Sequence, residues 1–106
     1  MQDEYITILD NASGEIIIKK SRFIASLYPV ETEDDANAII ESLRKKYWDA
    51  THNCYAYIIG TQNPITRCSD DGEPSRTAGK PMLDVLLAHK LTNVLAVVTR
   101  YFGGTL

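Results

Sequence analysis

Val94-Leu95-Ala96-Val97-Val98-Thr99-Arg100-Tyr101 runs apolar and β-branched, with no polar side chain before Thr99. Such a run belongs in a central strand covered on both faces, because a strand with one wet face alternates instead. It leads into Phe102-Gly103-Gly104, so an aromatic pair and two glycines follow the cation at Arg100. Just upstream, Met82, Leu83, Val85 and Leu86 recur at helical spacing. Pro81 suits the first position of that helix, which needs no donor there. His89 falls at its C-terminal end and Asn93 is its stop signal.

Further toward the N-terminus, residues 53–60 alternate Cys54, Ala56 and Ile58 against Tyr55, Tyr57 and Ile59, as a strand does. Gln62-Asn63-Pro64 turns the chain, and residues 65–69 return as an antiparallel partner. Thr32 is a helix N-cap, followed by Glu33, Asp34 and Asp35 at the positive end of the helix dipole. Ala36, Ile39, Ile40, Leu43 and Tyr47 then recur on one face, and Arg44-Lys45-Lys46 closes the last turns. Residues 5–9 read as a short strand, 10–14 as a turn, and 15–20 and 23–28 as extended. Ser21-Arg22 fits either a turn or a bulge. This order predicts an α+β fold, a mixed or antiparallel sheet with two helices packed on one face.

The 106 residues suffice for one domain with a modest core. A hydrophobic share of 44% with 24% charged residues excludes a disordered chain. The net charge of -3 excludes a global basic field, so any nucleic-acid contact must come from local clusters. Met1-Gln2-Asp3-Glu4 lacks the basic start of a signal peptide, and the longest apolar run, Val94 to Val98, is too short to span a bilayer. Cys54 and Cys68 alone are no secreted disulfide framework. The expectation is a cytoplasmic, reduced protein with no membrane partner.

The chemistry concentrates in Ser69-Asp70-Asp71-Gly72-Glu73-Pro74-Ser75-Arg76-Thr77-Ala78-Gly79-Lys80-Pro81, a charged loop joining two ordered elements. Asp70, Asp71 and Glu73 are oxygen ligands of the kind Mg²⁺ takes. The structural reading, which is preferred, is that Asp70 and Asp71 cap a turn and pair with Arg67, Arg76, Lys80 or Arg100. His52, Cys54 and Cys68 give zinc only three ligands, and both cysteines are expected as core thiols in paired strands. Gly79-Lys80 lacks P-loop spacing, and Pro81 replaces the Mg²⁺-binding Ser or Thr. A helix start near Thr77, Ala78 and Gly79, flanked by Arg76 and Lys80, attracts an anion unless a carboxylate of the chain already lies there. Ser69 or Ser75 with His52 shows no nucleophile elbow. Lys19, Lys20, Arg22, Arg44-Lys45-Lys46, Arg67, Arg76, Lys80 and Arg100 supply phosphate contacts if they share a face. Tyr55, Tyr57, Tyr101 and Phe102 supply stacking rings, or simply sheet packing. No cofactor or metal is called for.

Three segments resemble the signature of the IMPACT family, whose bacterial members include the YigZ and YvyE proteins. They are Ser69-Asp70-Asp71-Gly72-Glu73-Pro74, Thr77-Ala78-Gly79 and Thr99-Arg100-Tyr101-Phe102-Gly103-Gly104. His52-x-Cys54-x-Ala56 and Lys20-Ser21-Arg22-Phe23-Ile24-Ala25 match the same pattern in the same order. The chain departs from it at Arg76, where family members usually carry Gly. The resemblance implies a fold similar to domain 2 of a small-subunit ribosomal protein. It also implies a link to translation, through eukaryotic relatives that restrain a starvation-responsive kinase by competing for its ribosome-associated activator. On this reading residues 1–106 are one IMPACT-type amino-terminal domain, incomplete at its carboxyl end before a last helix and a second domain.

The reading carried forward is a non-enzymatic binding module of translation or its regulation. Its partner is RNA, the ribosome or a translation-related protein. The contact surface is Arg67, Asp70, Asp71, Glu73, Arg76, Thr77, Gly79, Lys80, Arg100, Tyr101, Gly103 and Gly104. A homodimer follows if an absent helix leaves an apolar sheet face open. The alternative is a metal-assisted enzyme on a small or phosphorylated substrate, using Asp70, Asp71 and Glu73.

Overall fold

The computed structural model describes residues 7–8, 10–18, 21–69 and 79–101. Five strands and two helices lie among them, in the order β1 (Ala12–Ile18), β2 (Ser21–Pro29), α1 (Glu33–Lys46), β3 (His52–Ile59), β4 (Ile65–Ser69), α2 (Gly79–Ala88) and β5 (Val94–Tyr101). The strands form one sheet in the order β1-β2-β5-β3-β4, and every pairing is antiparallel. The apolar run is thus the middle strand, with Val94 and Leu95 both fully buried although they point to opposite faces.

That alternation splits the core in two. Tyr57, Ile59, Leu95 and Val97 pack against Ala36, Ile40 and Leu43 of α1. Ala56, Ile58, Val94 and Ala96 pack against Leu83 and Leu86 of α2 on the other side. The α+β class, the antiparallel sheet and the two helices are as expected, but the placement of both helices on one face is corrected. The reason is topological. β2 and β3 are parallel to each other across β5, and β4 and β5 are parallel across β3. The two crossovers run in opposite directions along the sheet with opposite strand polarity. Two right-handed crossovers would therefore put both helices on the same face, as the usual rule demands. Helices on opposite faces mean that one crossover is left-handed.

Local signals explain the elements themselves. Thr32 adopts extended backbone and its Oγ1 accepts from the Asp35 N–H at 3.0 Å, so α1 starts where its cap predicts. Three carboxylates in its first turn and three cations in its last complement the dipole. α2 starts two residues before Pro81, which stands within the first turn where an absent N–H costs nothing. It ends at Ala88 rather than running on to Asn93. The Leu91 N–H bonds to the Leu86 carbonyl and the Lys90 N–H to Leu87, a Schellman closure with Lys90 left-handed at φ 56°.

Asn93 instead ties three strand ends together. Its carbonyl accepts from the Val30 N–H and its Oδ1 from the Gly60 N–H, both at 3.0 Å. Thr92 Oγ1 donates to the Gly60 carbonyl at 2.5 Å beside it.

At the N-terminal end two expectations change. β1 begins at Ala12, inside the expected turn, because residues 12–18 pair with 21–27 in antiparallel register. Ser21 and Arg22 accordingly lie within β2 and form neither a turn nor a bulge. Of the strand expected over residues 5–9, Thr7 and Ile8 lie outside any strand, and residues 5, 6 and 9 fall outside the described residues. Between α2 and the β1-β2-β5 side of the sheet runs an apolar groove of about 460 Å³, lined by Leu27, Met82, Val85, Leu86, Leu91 and Ala96 among others.

Candidate functional site

Five of the twelve residues read as a contact surface are described: Arg67, Gly79, Lys80, Arg100 and Tyr101. Asp70, Asp71, Glu73, Arg76, Thr77, Gly103 and Gly104 lie outside the described residues, as do Phe102 and Lys19-Lys20.

Gly79 and Ser69 meet directly. A Cβ on Gly79 would stand 2.8 Å from both the carbonyl carbon and oxygen of Ser69. The start of α2 therefore rests on the backbone at the end of β4. Lys80 sits beside this contact, exposed, with its Nζ 2.7 Å from Asp84 Oδ1 one helical turn on. β4 ends opposite Tyr55 of β3, and Arg100 of β5 lies opposite His52 on the other side of β3. Ser69 and Arg100 are thus separated by about 10 Å along the strands and two strand spacings, about 10 Å, across them. Both lie toward the same end of the sheet.

They do not share a face. Arg100 pairs with Phe23, and its guanidinium carbon lies 5.3 Å from the centre of that ring, on the α2 side. Its Nε is shielded from solvent. Arg67 is on the α1 side, opposite Tyr57, with its Nε 3.9 Å from Glu33 Oε2. Tyr57 donates to that same Glu33 oxygen at 2.5 Å, so the N-terminus of α1 is fastened to β3 through one carboxylate.

Burial, and then the Glu33 carboxylate, push the Tyr57 phenol up to about 12 from an ordinary 10.0. The folded state thus favours the neutral phenol. Its contribution is whole below pH 10 and is lost as pH rises from 10 through about 12. Tyr57→Phe should show a smaller fall in urea stability between pH 9 and 11.5 than the parent, by on the order of 2 kcal/mol. Equal falls in the two proteins would refute the coupling.

Sequence reasoning offered Tyr55 and Tyr57 as stacking rings. Tyr57 is buried at 3% exposure, so sheet packing is its role. Its ring lies 6.2 Å from that of Tyr55 and nearly parallel to it. Cys54 is buried as expected, but Cys68 is exposed, because β4 is the edge strand of the sheet among the described residues. Among the described residues no three His, Cys, Asp or Glu side chains gather as a metal site. Thr99 and Asn53 form a buried polar pair, with Thr99 Oγ1 donating to Asn53 Oδ1 at 2.7 Å.

One residue escaped the sequence reading. Trp48 stands in the turn after α1 and is 80% exposed. It is the only tryptophan in the chain. Its place next to Arg44-Lys45-Lys46-Tyr47, outside the apolar repeat of Ala36, Ile40, Leu43 and Tyr47, was the legible signal.

The sheet order, the helix placement and these motifs define a known class of domain. Residues 19–106 match the Impact N-terminal domain model, and the chain belongs to that family. It is 51% identical over 104 residues to IMPACT family member YvyE of Bacillus subtilis strain 168, a match covering 98% of this chain and 48% of that protein. It is 45% identical over 91 residues to IMPACT family member YigZ of Escherichia coli K12, covering 84% and 45%. A solved structure titled only as a hypothetical protein superposes with a TM-score of 0.81 at 42% identity, over 92% of this chain and 48% of that one. A structure titled as the two-domain translational regulator Yih1 superposes with a TM-score of 0.65 at 30% identity, over 90% and 36%. The chain spans about half the length of the curated relatives it matches.

Proposed function

We propose that this chain is a non-enzymatic binding module of translation control, working in the cytoplasm. Its contact surface is built from segment 69–81 and segment 100–104, with Arg67 at the margin. The observation that carries the reading is its similarity, at 30% identity over 90% of its length, to a protein titled a translational regulator. The geometry supports it as well. The described end of β4, Ser69, and the last residues of β5, Arg100 and Tyr101, lie toward one end of the sheet, where the start of α2 at Gly79 rests against Ser69; Arg67 and Arg100 approach that end from opposite faces. The partner is a component of the translation machinery, RNA, ribosome or protein.

Co-sedimentation with purified ribosomes tests the reading. The chain should pellet with ribosomes or with a factor bound to them, and charge reversal at Asp70 and Asp71 or at Arg100 should weaken this about tenfold or more. Phosphate contacts weaken steeply as salt rises, whereas apolar protein contacts do not, so a salt series separates the two kinds of partner. A chain that stays in the supernatant and leaves reconstituted translation unchanged would sink the proposal.

A further inference from the structure

We infer that the end of α1 forms a stacking platform for single-stranded RNA, with Trp48 as the ring that receives an unpaired base. The inference rests on the proposed function for its direction. It names a partner class and a surface that segment 69–81 does not include.

Exposure of the indole is the first observation, because a large ring left 80% in water is rare on a surface with no partner. The second is that the turn presenting it is held rigidly. The Tyr47 N–H bonds to the Leu43 carbonyl at 2.8 Å and the Ala50 N–H to Tyr47 at 3.0 Å. The Thr51 N–H bonds to the Arg100 carbonyl at 2.8 Å, and the Tyr101 hydroxyl donates to Asp49 Oδ1 at 3.0 Å. A ring on a fixed turn loses little freedom when a ligand covers it.

The third observation is charge. Lys46 Nζ lies 5.1 Å from the Tyr47 ring centre, and the Arg22 guanidinium 5.5 Å from that of Tyr101. The two tyrosines meet edge to face at 6.5 Å. These cations and rings form a continuous band from the end of α1 to β2, with exposed Lys45 beside it. Two carboxylates lie along it: Glu15 offsets Arg22 in an ion pair, and Asp49 keeps its charge while accepting from Tyr101, so exposed Lys45 and Lys46 at the end of α1 carry its positive charge. A cationic band on a chain of net charge -3 complements a polyanion. Each tyrosine ring of the band carries one cation and is half-buried, whereas the indole stands 80% in water, so the indole is the ring best placed to stack. Aromatic stacking with flanking cations is how proteins hold unpaired bases without reading sequence.

Trp48 is its own reporter. The whole chain is titrated at low salt with ten-nucleotide poly-U and poly-A RNA, following indole fluorescence and the anisotropy of labelled RNA. Binding should quench the indole and weaken as salt rises. Trp48→Ala should weaken binding roughly 5- to 150-fold, while Trp48→Phe restores part of it. Lys45→Glu with Lys46→Glu should flatten the salt dependence. At 80% exposure the Trp48 variants fold like the parent, which circular dichroism checks. Absence of binding, equal binding by Trp48→Ala, or equal binding of a duplex without quenching would each overturn the inference. Ribosome association that survives Trp48→Ala would leave the proposed function standing while the platform falls.

Discussion

Gly79→Ala is expected to destabilise the fold by about 2–3 kcal/mol, lowering the thermal midpoint by roughly 10 °C or more. The sign is what makes the result informative. In an ordinary helix, alanine is favoured over glycine by about 0.5–1 kcal/mol, so helix propensity alone predicts a gain. Here the new methyl would lie 2.8 Å from the Ser69 carbonyl carbon and oxygen and 3.0 Å from its nitrogen. Those are backbone atoms of a strand paired along its length with β3, and they cannot rotate aside. The start of α2 must lift off β4, loosening Leu83 and Leu86 from Ile58 and Ala56. A melt at or above the parent midpoint would show that the helix does not rest on Ser69.

Leu95→Ala should have the largest effect on stability, about 3–4 kcal/mol. Leu95 is fully buried in the central strand, opposite Tyr28 of β2 and Tyr57 of β3, and belongs to the cluster under α1. Its neighbours are held by hydrogen-bonded strands on both sides, so the vacated volume closes only in part. A domain of this size has about 5–15 kcal/mol in total, so the variant would be marginal at physiological temperature. Urea unfolding followed by far-ultraviolet circular dichroism is the measurement, since an 80% exposed indole reports little of the core. Val85→Ala, at a position 56% exposed on α2, is the control and should change stability by no more than about 0.5 kcal/mol. A Leu95 variant no weaker than the Val85 variant would contradict the two-sided core.

Legibility followed the range of the interaction that each feature depends on. α1 was readable because its cap, its apolar spacing and its terminal charges all lie within one segment. Its observed span, Glu33–Lys46 with Tyr47 as C-cap, matches the reading. The helix before β5 was read at its core but not at its ends. Those were set by the contact of Gly79 with Ser69 and by Lys90 in a left-handed turn. Of the candidate surface, the motif residues could be named from sequence, yet the separation of Arg67 and Arg100 onto opposite faces could not. That separation follows from register, where one position of offset exchanges the faces. Cys68 was misjudged for a related reason, because nothing in Ile65–Ser69 says that it forms an edge.

Alone, the order of residues determined the family, the α+β class, the capped helix and the strand buried on both sides, since caps, spacing and unbroken apolar runs act over a few neighbours. Only the tertiary structure decided that the helices lie on opposite faces, that the second helix must begin with a residue lacking a side chain, and that one indole stands in water in the turn after the first helix. Each of those depends on which distant segments lie side by side, and crossover handedness and strand register carry no signature in any single stretch of chain.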